Sequence, residues 1–154
     1  MKKNKFYYLS LVIFLVVLIT SSPILAQSWG IGIMIGEPTG ISYKIWQNKT
    51  IAWAGGVAWA LGQQWKLHLH ADYLFHNYNF HLTKEIKIIT HLGLGGKFKI
   101  EESAIGIRVP LGLNYIFANA PLDCFFEIVP ILDLIPATEF WLGAALGVRL
   151  YFKR

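Results

Sequence analysis

Between Trp65 and His76 the chain alternates, broken only at Leu74: Trp65, Leu67, Leu69, Ala71, Tyr73 and Phe75 are apolar, and Lys66, His68, His70, Asp72 and His76 lie between them. A period of two sends successive side chains to opposite faces of an extended strand, whereas a helix would scatter these apolar residues around its axis. The same period runs through most of the chain, and turn residues punctuate it. The reading is an all-β chain of eight antiparallel strands at about Ser28–Gly36, Ile41–Trp46, Ile51–Leu61, Trp65–His76, Ile88–Ile100, Ser103–Phe117, Leu122–Ile135 and Glu139–Phe152. The connections include Glu37-Pro38-Thr39-Gly40, Gln47-Asn48-Lys49-Thr50, Gly62-Gln63-Gln64 and a polar stretch from Asn77 to Lys87. No linker or second domain interrupts the pattern.

The first residues follow a different logic. Lys2, Lys3 and Lys5 precede the apolar run Phe6–Thr20, and Pro23 and Ala26 follow, before Gln27. Basic, apolar and small-residue regions in that order describe a secretory signal peptide, here 1–26. The run is shorter than the roughly 20 apolar residues a membrane-spanning helix needs. The domain is then 27–154. The formal charge of +5 falls to +2 once those three lysines leave (14 basic residues less three, against 9 acidic), which offers no footprint for nucleic acid. A chain 55% hydrophobic and 15% charged is not a disordered one. The single cysteine, Cys124, excludes an intrachain disulfide and reads as a small hydrophobe.

Eight antiparallel strands can close as a soluble ligand carrier or as a membrane barrel, and the two differ in which face is apolar. Here the less apolar face carries small residues: Ala52, Ala54, Gly56, Ala58 and Ala60 on the third strand; His91, Gly93, Gly95 and Lys97 on the fifth; Glu139, Trp141, Gly143, Ala145, Gly147 and Arg149 on the eighth. A wet surface would be dense in charged and hydroxyl residues. Small residues with a few charges suit the narrow lumen of an eight-stranded barrel, which side chains just fill. The opposite face is apolar on every strand, and Trp29, Trp46, Trp53, Trp59, Trp65, Tyr73, Tyr115, Phe140 and Phe152 are candidates for aromatic girdles at two membrane interfaces. The face Ile105, Ile107, Val109, Leu111, Leu113, Tyr115 has no second sheet or amphipathic helix to cover it. The fold expected is an up-and-down transmembrane β-barrel.

These features resemble the small OmpA/OmpX-like barrels of bacterial outer membranes. Three stretches, Leu67–Phe75, Gly106–Leu113, and Ala120–Asp123 with Phe126–Ile128, together with the closing Gly147–Phe152, resemble a family of such barrels of unknown function. One difference is that Lys153-Arg154 follow the final aromatic. The resemblance implies location in the bacterial outer membrane, with outer-membrane lipid and the outer-membrane insertion machinery as partners. It implies no cofactor and no assigned activity.

Within the lumen, Lys66, Asp72, Lys97, Arg108, Glu127 and Arg149 are expected to form a polar network, because an isolated charge away from water costs several kcal/mol. Arg108 is paired with Glu127 in this reading. An ion pathway is the functional alternative, disfavoured by the filled interior of so narrow a barrel. His68, His70 and His91 share a predicted face and are weak candidates for a metal site, outweighed by simple hydrogen bonding. His76 and His81 are placed in or beside the polar connection, solvated. A lipid A-modifying acyltransferase or deacylase would need a hydroxyl beside a histidine and a carboxylate. Ser28, Ser42 and Ser103 show no such spacing, so no catalytic residue is assigned. Pro110 and Pro130 fall inside expected strands and call for bulges. The reading is a structural or interaction barrel; the alternatives are that enzyme and a soluble, lipocalin-like periplasmic carrier.

Overall fold

A computed structural model describes residues 28–59, 67–79, 88–100 and 102–153. The expected signal peptide, and with it residues 60–66, 80–87, 101 and 154, lies outside the described residues. The chain forms β1 (Ser28–Gly36), β2 (Thr39–Trp46), β3 (Ile51–Trp59), β4 (Leu67–Asn77), β5 (Ile88–Lys99), β6 (Ala104–Arg108), β7 (Leu111–Ile116), β8 (Leu122–Ile135) and β9 (Glu139–Lys153). Every neighbouring pair is antiparallel, and β1 pairs with both β2 and β9, so the sheet closes into a ring.

Among the described residues the count is nine, not eight, because the expected sixth strand is two. β6 and β7 follow one another in the same place, each pairing with β5 on one side and β8 on the other. They part at Val109-Pro110, where proline removes a ladder donor. The expected bulge is not there. On the β5 side the offset of Gly95↔Arg108 continues in Leu92↔Leu111. On the β8 side the offset of Arg108↔Ile131 continues in Leu111↔Ile128. The register shift lies elsewhere, between Ile105 and Gly106. Pro130 sits inside an unbroken β8. Each proline keeps the acceptor half of a ladder pair: Gly93 N donates to the Pro110 carbonyl at 2.8 Å, and Val109 N to the Pro130 carbonyl at 2.9 Å. Neither can return the bond. The wall therefore lacks two donors at adjacent places without changing register.

The first turn is also tighter than expected. Only Glu37 and Pro38 lie outside strands, and Thr39 Oγ1 accepts from Gly36 N at 3.0 Å while donating to the Gly36 carbonyl at 2.8 Å. Gly36 has φ +133°, a region that residues with a Cβ rarely adopt.

The two faces of the ring are opposite in character. Outside, Ile33, Ile35, Leu94, Leu142, Leu146 and Phe140 are each at least 60% exposed. Inside, Lys44 and Arg108 are at most 1% exposed, and His70, Asp72, His91, Lys97, Asp123, Glu127, Asp133 and Arg149 are also buried. Apolar side chains such as Leu74, Val129 and Ile131 are buried among them, and Met34 of β1, Ala58 of β3 and Phe125 of β8 form one cluster. Since β3 and β8 stand across the ring from one another, that cluster spans the lumen. Among the described residues no helix is long and apolar enough to cross a membrane, which says nothing of strands.

Candidate functional site: the charged interior

A repeated device builds the interior. In four contacts the partners sit not on adjacent strands but on strands two apart, with a glycine at the same level on the strand between. Asp72 on β4 and Arg108 on β6 face each other across Gly95, and Asp72 Oδ1 lies 2.9 Å from Arg108 Nε. His91 on β5 and Glu127 on β8 meet across Gly112, with His91 Nε2 3.2 Å from Glu127 Oε1. Lys97 on β5 and Asp133 on β8 meet across Gly106, with Lys97 Nζ 2.7 Å from Asp133 Oδ1 and 2.9 Å from Oδ2. Arg149 on β9 reaches Ser42 on β2 across Gly32, its Nε donating to Ser42 Oγ at 2.9 Å.

The reason is steric. A Cβ on Gly95 would fall on Asp72 Oδ1, and one on Gly106 on Asp133 Oδ1. On Gly112 it would meet His91 Nε2 at 2.6 Å. Each missing side chain is the space through which its neighbours touch. The same arrangement serves apolar contact, since Leu74 and Pro110 both close on Gly93.

Arg149 joins these units near the end where Ser28 and Lys153 pair. Its NH1 lies 3.6 Å from Asp123 Oδ2, its NH2 3.8 Å from Glu127 Oε1, and its guanidinium 3.6 Å from the Phe125 ring centroid. Asp123 Oδ2 also accepts from Asn114 Nδ2 at 3.0 Å and Tyr151 OH at 2.9 Å. Asp133, Glu127 and Asp123 thus set an anion at three levels along β8, each beside a cation or an imidazole. Burial of such charges is tolerable only when paired in this way. Lys44 is the exception: its Nζ makes no hydrogen bond among the described residues and rests 4.5 Å from the Trp46 ring centroid.

Of the residues expected in the network, Asp72, Lys97, Arg108, Glu127 and Arg149 lie buried inside the ring, and Lys66 is outside the described residues. The expected Arg108–Glu127 pairing is corrected: Arg108 pairs with Asp72, and Glu127 with His91 and Arg149. His68 and His70 stand 5.6 Å apart between ring centroids, while His91 stands 5.5 Å from His76. These are two separate pairs, and among the described residues no three His, Cys, Asp or Glu side chains converge as metal ligands would. His76 is not solvated; it is buried 4.3 Å from the Trp46 ring centroid. His81 is outside the described residues.

The aromatics divide. Trp29 and Phe152 stack at 4.6 Å on the outer wall, Trp53 meets Tyr73 at 4.8 Å, and Tyr115 meets Phe117 at 4.8 Å. Phe140, at the other end, is 70% exposed. Trp46 is a correction: it is buried in the lumen against His76 and Lys44, as its parity with Ser42 and Lys44 on β2 requires. Trp65 is outside the described residues, and of Trp59 only the backbone at the end of β3 is described. Parity would also have found the members missed in the sequence: Ser42 and Lys44 alternate with Ile41, Tyr43 and Ile45, and Asp123 and Asp133 share the parity of Glu127.

Known proteins fit this picture at the level of fold. A family model described as a protein of unknown function (DUF3996) matches residues 20–144. No curated protein matches. The N-terminal β-barrel domain of OprF from Pseudomonas aeruginosa superposes with a TM-score of 0.59 at 13% identity, covering 82% of this chain and 98% of that one. At such low identity the likeness shows the fold, an OmpA-like antiparallel barrel.

Proposed function

The chain belongs to this family of proteins of unknown function, and we propose that it is an outer-membrane β-barrel with a structural or interaction role, delivered by a cleaved signal peptide at 1–26. One observation carries the reading: the wall is inverted, with isoleucine, leucine and phenylalanine outside and ion pairs within. A water-soluble barrel would expose that apolar wall, far more than the few hundred Å² a monomer ordinarily leaves open. In hydrocarbon the same wall is solvated, and a closed ring satisfies the backbone. The aromatic pairs on the outer wall all lie toward the end where Ser28 and Lys153 pair, where they suit one interface, and Phe140 stands toward the other. Outer-membrane lipid and the insertion machinery are then the partners, and nucleic acid is not.

The interior supports a plug rather than a pore, because paired charges and the Met34–Ala58–Phe125 cluster occupy it. It also favours a protein without catalysis. Ser42, the buried serine, accepts from Arg149 Nε, and a guanidinium cannot act as its base. The test is fractionation with a heat-modifiability gel and carbonate extraction. The expected product stays with the outer membrane and shifts mobility on boiling. A product released into the periplasm overturns the reading.

A further inference from the structure

At the end of the barrel away from Ser28 and Lys153, the strands open into a cup of about 800 Å³. Its lining holds Lys97 and Asp133 side by side, and beside them Lys99, whose Nζ lies 3.2 Å from Glu102 Oε2. His68 also lines the cup, and its buried Nε2 has no hydrogen-bonding partner among the described residues. Trp141 stands at the wall, 47% exposed, with Lys99 Nζ 5.4 Å from its ring centroid. Ile131 and Pro136 supply apolar surface.

The charges decide what such a cup accepts. Each ammonium is tied to a carboxylate, so a small anion aimed at Lys97 meets Asp133, and one aimed at Lys99 meets Glu102. Glu37 and Glu139 at the rim repel it further. A simple cation aimed at Asp133 or Glu102 meets the paired lysine, and only Glu37 and Glu139, the two carboxylates in excess, favour it. A neutral polyol suffers neither conflict at the two lysine–carboxylate pairs, which offer donors and acceptors in alternation. Adjacent hydroxyls can accept from an ammonium and donate to the carboxylate beside it, while the C–H face of a sugar ring packs on an indole. Apolar walls with a few converging polar groups are the usual make-up of a small-molecule site.

We infer that this cup binds a neutral saccharide of one or two rings. Lys97, Asp133 and His68 read its hydroxyls, and Trp141 holds its apolar face. The assignment goes beyond the barrel's location and stands on the cup alone. The source is either free sugar or the sugar of a glycolipid.

The test uses the full mature barrel in phospholipid nanodiscs, since sugar-headed detergents would compete. Glucose, galactose, N-acetylglucosamine, lactose and chitobiose are titrated by calorimetry, with acetate and spermidine as anion and cation. The expected result is saturable binding of at least one neutral sugar with Kd of about 1 mM, weak as befits a small solvated ligand. Trp141→Ala, at a half-exposed position that the closed ring does not need, weakens it about tenfold. Asp133→Asn does the same where it folds. Failure of every neutral sugar, tighter binding of acetate or spermidine, or an unchanged affinity in Trp141→Ala overturns the inference. A glucosyl diacylglycerol in the discs that displaces the free sugar makes the source lipid-borne; no displacement makes it free. Either result leaves the saccharide assignment supported.

Discussion

Gly95 and Gly96 are neighbours on β5 and do opposite things. Gly95 faces inward, where any Cβ would fall on Asp72 Oδ1. Gly96 faces outward, and a Cβ there would meet nothing nearer than the Gly106 carbonyl at 3.8 Å. One peptide unit separates a glycine that makes an ion pair possible from one that merely tolerates a side chain. The inner wall is held by shape and charge matched residue by residue; the outer wall asks only for apolar surface.

That contrast can be attacked most strongly through Arg108. Arg108→Leu leaves Asp72 buried and unpaired, and unfolding of the barrel in bilayers should lose about 3–5 kcal/mol. Adding Asp72→Leu should restore most of the loss. An equal loss in both variants would mean that packing, not charge, holds this site. On the outer wall, Leu111 is 45% exposed and sits level with Leu92 and Ile128. Leu111→Arg should cost about 2–4 kcal/mol in lipid if that wall faces hydrocarbon near its midplane. A change under about 0.5 kcal/mol, the usual size for an exposed position, would show a wet outer wall.

The glycines themselves give a finer comparison. Gly95→Ala should cost about 1–3 kcal/mol, as overpacked interiors do, and should remove most of what Arg108→Leu would otherwise take away in the double variant. Gly96→Ala should change stability by about 0.5 kcal/mol or less. Chemical denaturation of both variants side by side measures the difference, and equal costs would remove the steric account of the ion pairs.

Much of this architecture was legible from alternation alone. The bounds of β1 and β8 and the inward parity of Asp72, Lys97, Arg108, Glu127 and Arg149 follow from a period of two. What failed, failed for definite reasons. The chemistry of Trp46, an indole suited to an interface, points outward, whereas its parity with Lys44 places it inside. Arg108 and Glu127 are both inward and charged, which suggests a pair, but pairing depends on strand offset, which alternation does not carry, and Arg108 meets Asp72 instead. The bulges expected at Pro110 and Pro130 are absent because a strand can lose one donor and keep its register when its carbonyl still accepts. His68, Lys97 and Trp141 fall on the expected inner face, but that they gather into a cup does not follow from alternation, which says nothing of which strand ends and turns lie together.

The glycine-bridged pairs also bear on how such a chain can be inherited. A single substitution in the trio Asp72, Gly95 and Arg108 either strands a charge or crowds one out, and only a matched change of several members returns to a stable state. The outer wall has no such bond between positions: Leu, Ile, Val and Phe can exchange there one at a time. Descendants of this sequence should therefore wander freely on the face that meets their surroundings, while the interior moves in steps of two or three residues or not at all.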